Sequence, residues 1–208
     1  AAWYGFGDMT PANYFGIVAA LGLRYAEIPL YWHALGNWFG SSEGIESVRN
    51  HAHEAGVQIV AGVSALNIAG RIRDGMHDRD GVDFAIAQAR RAIEIGAKLG
   101  VEVIRLSEPD RIEEDQAALA EKYMTAFGDA FRFLGDESAE HGIRIAIENF
   151  GLSSAEILHV LDAANHPAVG TLYDPCNYYR HGEDPLAALE VLVDRVYYCH
   201  LKDADFPY

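Results

Sequence analysis

The sequence predicts an α/β protein in which strand and helix alternate about one parallel sheet, and three observations carry that prediction. First, four helical stretches end in glycine and run at once into a short β-branched segment: Gly22-Leu23-Arg24-Tyr25-Ala26, Gly56-Val57-Gln58-Ile59-Val60, Gly100-Val101-Glu102-Val103-Ile104 and Gly142-Ile143-Arg144-Ile145-Ala146. Glycine closes a helix in the left-handed conformation without a Cβ penalty, so each junction reads as a helix stop feeding a strand. Second, apolar residues recur at helical spacing between the junctions, Val82, Ile86, Ala89, Ile93 and Ala97 in one stretch and Ile157, Val160, Leu161 and Ala164 in another. Third, no Ser-rich or Pro-rich linker, charge block or low-complexity tract divides the 208 residues, so one domain over 1–208 is expected.

In chain order the expected strands are 2–6, 24–29, 57–63, 101–106, 143–149, 169–174 and 195–201, with helices near 11–21, 44–55, 82–99, 113–141, 153–164 and 185–193. Helix starts are marked by their own chemistry. Thr10-Pro11 supplies an N-cap and a first-turn proline, Ser153-Ser154-Ala155-Glu156 is a capping box, and Asp184-Pro185 repeats the Thr10 arrangement. Alternation of this kind implies right-handed crossovers in a parallel sheet, which leaves a closed barrel or an open doubly wound sheet. No Gly-x-Gly-x-x-Gly or phosphate-loop motif follows any strand, and the chemistry-bearing residues fall at the C-terminal ends of strands. Both points favour a (β/α)₈ TIM barrel. A complete barrel takes about 250 residues, roughly 31 per unit. The 208 residues therefore hold between six and seven units, and the fold is expected to be incomplete at the C-terminus.

Composition excludes several functions. Half of the residues are hydrophobic and 23% charged, enough for a real core. Sixteen Lys plus Arg against 31 Asp plus Glu give a net charge of −15, a field that repels phosphate backbones and anionic lipid. Nucleic acid and membrane are therefore not expected partners. The longest stretch free of charge, Ala55 to Gly70, contains Gln58, Ser64 and Asn67, so no transmembrane helix is expected. The start carries no basic segment before an apolar block, and the two cysteines, Cys176 and Cys199, lack the spacing of a disulfide framework or a zinc site. A cytoplasmic protein with reduced thiols is the expectation.

Three expected strands end in a metal-ligand residue: Glu148 after Ile143 to Ile147, Asp174 after Val169 to Tyr173, and His200 after Val196 to Cys199. From Glu148 to Asp174 is 26 positions, and from Asp174 to His200 is 26 again, one ligand per strand-helix unit. Side chains alternate across a strand, so Glu148 shares its face with Ala146, while Ile143, Ile145 and Ile147 point to the helices. The same parity groups Asp174 with Leu172, and His200 with Tyr198 and Lys202. Two carboxylates and an imidazole make a hard site suited to Mn²⁺, with Mg²⁺, Co²⁺ and Zn²⁺ as alternatives. Taken singly, a strand-end Glu is a solvated loop residue and a lone His a satisfied core histidine. Equal spacing and matching parity favour the joint reading.

Ile147-Glu148-Asn149, Leu172-Tyr173-Asp174-Pro175-Cys176-Asn177 and Cys199-His200-Leu201-Lys202-Asp203 resemble the three metal-binding segments of the xylose-isomerase-like TIM barrels, in their sugar isomerase and epimerase branch. Ala20 to Glu27 is similar to that family's first helix and Glu-ending second strand. The resemblance spans nearly the whole chain. It implies a divalent ion held by Glu148, Asp174 and His200, a sugar or cyclic polyol as substrate, and proton movement next to a carbonyl. It also implies a fourth ligand, a glutamate at the end of the eighth strand, expected ~30 positions beyond Tyr208, one barrel unit further on. Tagatose-type epimerases carry a histidine three positions after the aspartate, where this chain has Asn177.

The mechanism expected from these residues is proton abstraction alpha to a carbonyl through an enediolate, with Glu148 as base and Lys202 stabilising the oxyanion. Asn177, Arg105, Glu27 and Trp32 are the expected substrate-binding residues. Each has a plainer reading: turn geometry for Asn177, interior ion pairs for Arg105 and Glu27, and solvation for Lys202, with Asp203 orienting it. The aromatic loop from Leu30 to Phe39 that holds Trp32 suits either stacking on a sugar ring or contact with a second copy of the chain in a homo-oligomer. Two other functions are open. The same site would serve dehydration or cleavage of inososes, 3-keto sugars or keto-glycosides, and a barrel lacking its last unit would serve as a non-catalytic subunit or fragment. A DNA-repair endonuclease of related fold would need further histidine ligands and a basic surface.

Overall fold

The computed structural model describes residues 9–30, 38–66, 79–107 and 117–202. The described strands hydrogen-bond in sequence order, β1 (Tyr25–Pro29), β2 (Gln58–Ala65), β3 (Val103–Ser107), β4 (Arg144–Glu148), β5 (Val169–Tyr173) and β6 (Val196–Cys199). Parallel pairing joins β1 to β2, β4 to β5 and β5 to β6. Neighbours in sequence being neighbours in the sheet is the topology of an incomplete (β/α)₈ barrel and not of a doubly wound sheet, whose strand order reverses. The expected strand 2–6 lies outside the described residues. All four junction glycines sit at positive φ, between 67 and 76°.

Two compact units make up the chain, one of Ala1–Ser64 with Arg91–Ile104, the other of Ala65–Arg90 with Arg105–Tyr208. In the first, Thr10 caps α1 (Pro11–Ala20) by accepting from the Asn13 N–H, and the helix buries Tyr14, Phe15 and Val18. Ser41 caps α2 (Ser42–Glu54), which buries Ile45, Val48 and Ala52. The 21-residue α3 (Arg79–Leu99) follows β2. Its buried face is turned from the expected one: Ala89 and Ile93 are buried as foreseen, but Ala85, Ala92 and Ile95 join them while Val82, Ile86 and Ala97 stay half-buried. The cause is Gly96, which packs so closely that a Cβ there would stand 2.9 Å from both Val101 and Ile104. The helix sits on its smallest residues.

The second unit holds α4 (Ala117–Glu140), α5 (Ser154–Ala164), α6 (Pro175–Arg180) and α7 (Pro185–Leu192). Tyr123, Phe127 and Phe131 form an aromatic row along α4, with ring centroids 5.2 and 4.9 Å apart. The capping box at Ser153 forms in full, and α5 buries Ile157, Val160, Leu161 and Ala164 as the periodicity requires. Helix α6 was not foreseen, since Pro175 to Asn177 read as a turn. It forms because Asp174 caps it and Pro175 occupies its first turn, the same device that opens α7 at Asp184-Pro185. Between β5 and β6 the register slips by one residue, pairing Thr171 with Val196 but Leu172 with Tyr198. Gly170 makes room for the slip: a Cβ there would stand 2.5 Å from the Arg195 carbonyl and 2.6 Å from the Tyr197 ring.

Candidate metal and active site

Glu148 is the last residue of β4, Asp174 follows β5 directly and His200 follows β6. The ladder explains why their side chains meet. Ala146 pairs with Gly170 and Glu148 with Leu172, so Asp174 stands two residues past the partner of Glu148, on the same face. The slip in β6 then carries His200 level with the end of β5, where its N–H donates to the Tyr173 carbonyl at 3.0 Å. One potential ligand atom from each of the three residues lies within 4.8 Å of the others. Glu148 and Asp174 are buried, and the His200 side chain is 16% exposed.

Each oxygen in the cluster has a separate environment. Glu148 Oε2 accepts from Arg105 Nη1 at 2.5 Å, an ion pair between side chains 11% and 2% exposed. Glu148 Oε1 faces His200 Nδ1 at 3.8 Å and accepts from Asn177 Nδ2 at 3.5 Å. Asp174 Oδ1 accepts from the N–H groups of Cys176 and Asn177, at 3.1 and 3.3 Å, which is the cap of α6. Asp174 Oδ2 is buried without a hydrogen bond of ordinary geometry, and its counter-charge is the Lys202 ammonium, in ion-pair contact. That ammonium also donates to Asn177 Oδ1 at 3.3 Å. Burial raises the Glu148 pKa, but the His200 imidazole and the charges of Arg105, His200 and Lys202 outweigh it and hold the carboxyl below the usual range.

Five of the expected residues thus come together with Arg105: Glu148, Asp174, His200, Asn177 and Lys202. The plain reading of Arg105 as an ion-pair residue and its placement in the site are the same fact, because its partner is Glu148. Glu27 is buried on β1 in the first unit, where its carbonyl accepts from the Tyr14 hydroxyl at 3.1 Å. Trp32 and Asp203 lie outside the described residues. Sequence reasoning left Asn149 without a role. It is fully buried, and its Nδ2 donates to the Asp174 carbonyl at 3.3 Å, linking the ends of β4 and β5. Its position next to Glu148 was the available signal. Both cysteines are free thiols.

The donor set fits a hard divalent ion: two carboxylates, an imidazole and one carboxylate oxygen, Asp174 Oδ2, directed into the cluster without a hydrogen bond. A family model, the xylose isomerase-like TIM barrel, matches residues 15–207. The chain belongs to that family. Among solved xylose isomerase-like and related barrels, it is similar to the IolI protein with a bound zinc atom, at 17% identity and a TM-score of 0.76 over 97% of this chain and 71% of that one. It is similar to the 3-keto-D-glucoside 4-epimerase of E. coli, at 15% identity and a TM-score of 0.75 over 95% and 76% of the two chains. A xylose isomerase-like barrel protein of Mycobacterium smegmatis in complex with magnesium shares 17% identity, with a TM-score of 0.73 over 97% and 73%. No curated protein sequence matches the chain. Among the described residues, no helix is long and apolar enough to cross a membrane.

Proposed function

We propose that this protein is a divalent-metal-dependent sugar isomerase or epimerase that moves a proton on the carbon next to a carbonyl. The observation that carries the reading is the meeting of Glu148, Asp174 and His200 within 4.8 Å, from the ends of three successive strands in a xylose isomerase-like barrel. Glu148, Asp174 and His200 would hold the ion, which when bound supplies Lewis-acid polarisation of a substrate oxygen. Mn²⁺ is the proposed ion, since hard oxygen and nitrogen donors suit it.

The remaining work falls to the side chains. Glu148 is ionised at neutral pH, because its neighbours hold its pKa down, so the base form is already in place. Arg105 occupies Oε2. Glu148 takes the proton from carbon and returns it to the neighbouring carbon, and the substrate's hydroxyl proton passes to the former carbonyl oxygen, which completes an isomerisation. Asn177 Nδ2 and Lys202 Nζ are donors near the same carboxylates, suited to the oxygen on which negative charge grows. Asn177 stands where tagatose-type epimerases have a histidine, which leaves elimination from a cyclic keto-polyol open as the second reading.

Incubation with Mn²⁺ in deuterated water tests both readings. A ketose that gains deuterium next to its carbonyl, with the gain abolished in Glu148→Gln, supports isomerase or epimerase chemistry. Loss of water from an inosose supports elimination. Absence of exchange from a panel of ketoses and keto-polyols, with Mn²⁺ bound, overturns the catalytic reading.

A further inference from the structure

Lys202 stands in a position that a metal ligand set does not explain. Asp174 has one oxygen committed to the α6 backbone, so Oδ2 alone is open to an ion. That oxygen is the one the Lys202 ammonium contacts. The ammonium is held from a second side by Asn177 Oδ1 at 3.3 Å, and Asn177 in turn donates to Glu148 Oε1. Glu148 and Asp174 are both buried, and Arg105 answers the charge of Glu148. Lys202 answers the charge of Asp174. A buried carboxylate without such a partner is strongly disfavoured, so the pairing stabilises the protein when no ion is bound.

A divalent ion and an ammonium cannot share Oδ2 without strong repulsion at low local dielectric. The two side chains differ in freedom: Asp174 is fully buried, whereas Lys202 is 46% exposed on a flexible stem that can return its head to water. We propose that Lys202 is a resident counter-cation of the ligand cluster, which a divalent ion displaces from Asp174, so that Lys202 lowers metal affinity and stabilises the metal-free protein. The proposal rests on the reading of Glu148, Asp174 and His200 as a metal site. Once displaced, the ammonium stays at the rim of the site and is free to meet a substrate oxygen.

Calorimetric titration with Mn²⁺ alone, on the wild type, Lys202→Met and Asp174→Asn, separates the proposal from the reading beneath it. The expected result is binding by the wild type, loss of binding in Asp174→Asn, and about tenfold tighter binding in Lys202→Met, the size typical of changes just outside the ligand shell. Lys202→Met should also melt lower than the wild type without metal and gain more from Mn²⁺. Equal or weaker binding by Lys202→Met, with wild-type binding intact, overturns the counter-cation and leaves the metal site standing. No binding by the wild type or Lys202→Met overturns both. A second measurement uses the unaltered protein. Acetylation of the Lys202 amine, read by peptide mass spectrometry against Lys98, should speed up severalfold on adding Mn²⁺, and an unchanged rate overturns the displacement.

Discussion

Two helix starts in the second unit solve the same problem with different chemistry. At Ser153 the cap closes on itself: the Ser153 hydroxyl accepts from the Glu156 N–H at 3.3 Å, and Glu156 Oε2 accepts from the Ser153 N–H at 2.8 Å. At Asp174 only one oxygen serves the helix, and the other, which shares the carboxylate's charge, is left for Lys202 or an ion. A hydroxyl cap is neutral and local, whereas a carboxylate cap keeps half its coordinating capacity for partners far away in sequence. The comparison teaches that Asp174 is held in place by the fold while one of its oxygens remains chemically available.

The sharpest way to break this comparison is to remove the charge at Asp174 while keeping the cap. Asp174→Asn retains an oxygen for the α6 N–H groups, so Mn²⁺ affinity should fall at least about 100-fold, the upper end of what changes outside the ligand shell produce, while thermal stability stays near wild type. Asp174→Ala should show the same loss of affinity and a further loss of about 1 kcal/mol from the missing cap. Wild-type affinity in Asp174→Asn would reduce the residue to a helix cap.

Next in size is Arg105→Met, which removes the ion-pair partner of the buried Glu148 carboxylate. The expected cost is about 3 kcal/mol by urea unfolding, with most of it recovered when Glu148→Gln is added. No recovery in the double variant would mean that Arg105 stabilises through packing and not through the pair. Ser153→Ala should cost about 1 kcal/mol, or about 3 °C in Tm, and leave Mn²⁺ binding unchanged. A changed affinity there would couple the two caps.

The smallest effect is in the pH profile. Because the folded pKa of Glu148 lies below its ordinary value of 4.5, its ionised form contributes stability that is complete above pH 4.5 and lost as pH falls through the folded value. Glu148→Gln should flatten that acid limb in metal-free protein, and an unchanged limb would assign it to other carboxylates.

Much of this site was legible because its signal is periodic. The repeated 26-residue interval and strand parity are local counts, and they delivered Glu148, Asp174 and His200 to one place. Helix α6 was missed because Pro175 and Asn177 carry turn chemistry as well as helix-start chemistry, and only the capping bonds of Asp174 decide between them. The rotated face of α3 escaped because the apolar period marks a stripe without saying which small residue the packing will select. The partners of Lys202 and Arg105 were out of reach for another reason. Charge pairing between strands depends on distances of 43 and 28 positions along the chain, Arg105 to Glu148 and Asp174 to Lys202, for which no local pattern exists.

The one-residue slip between β5 and β6 decides which side chain stands beside Asp174. Before the slip Thr171 is level with Val196, and after it Tyr173 is level with Cys199, so His200 is the next residue to come level with Asp174. An unbroken ladder would bring Cys199 there instead, offering a sulfur where an imidazole now stands. The choice between a nitrogen and a sulfur donor at that place is thus made by strand register and not by a change of residue.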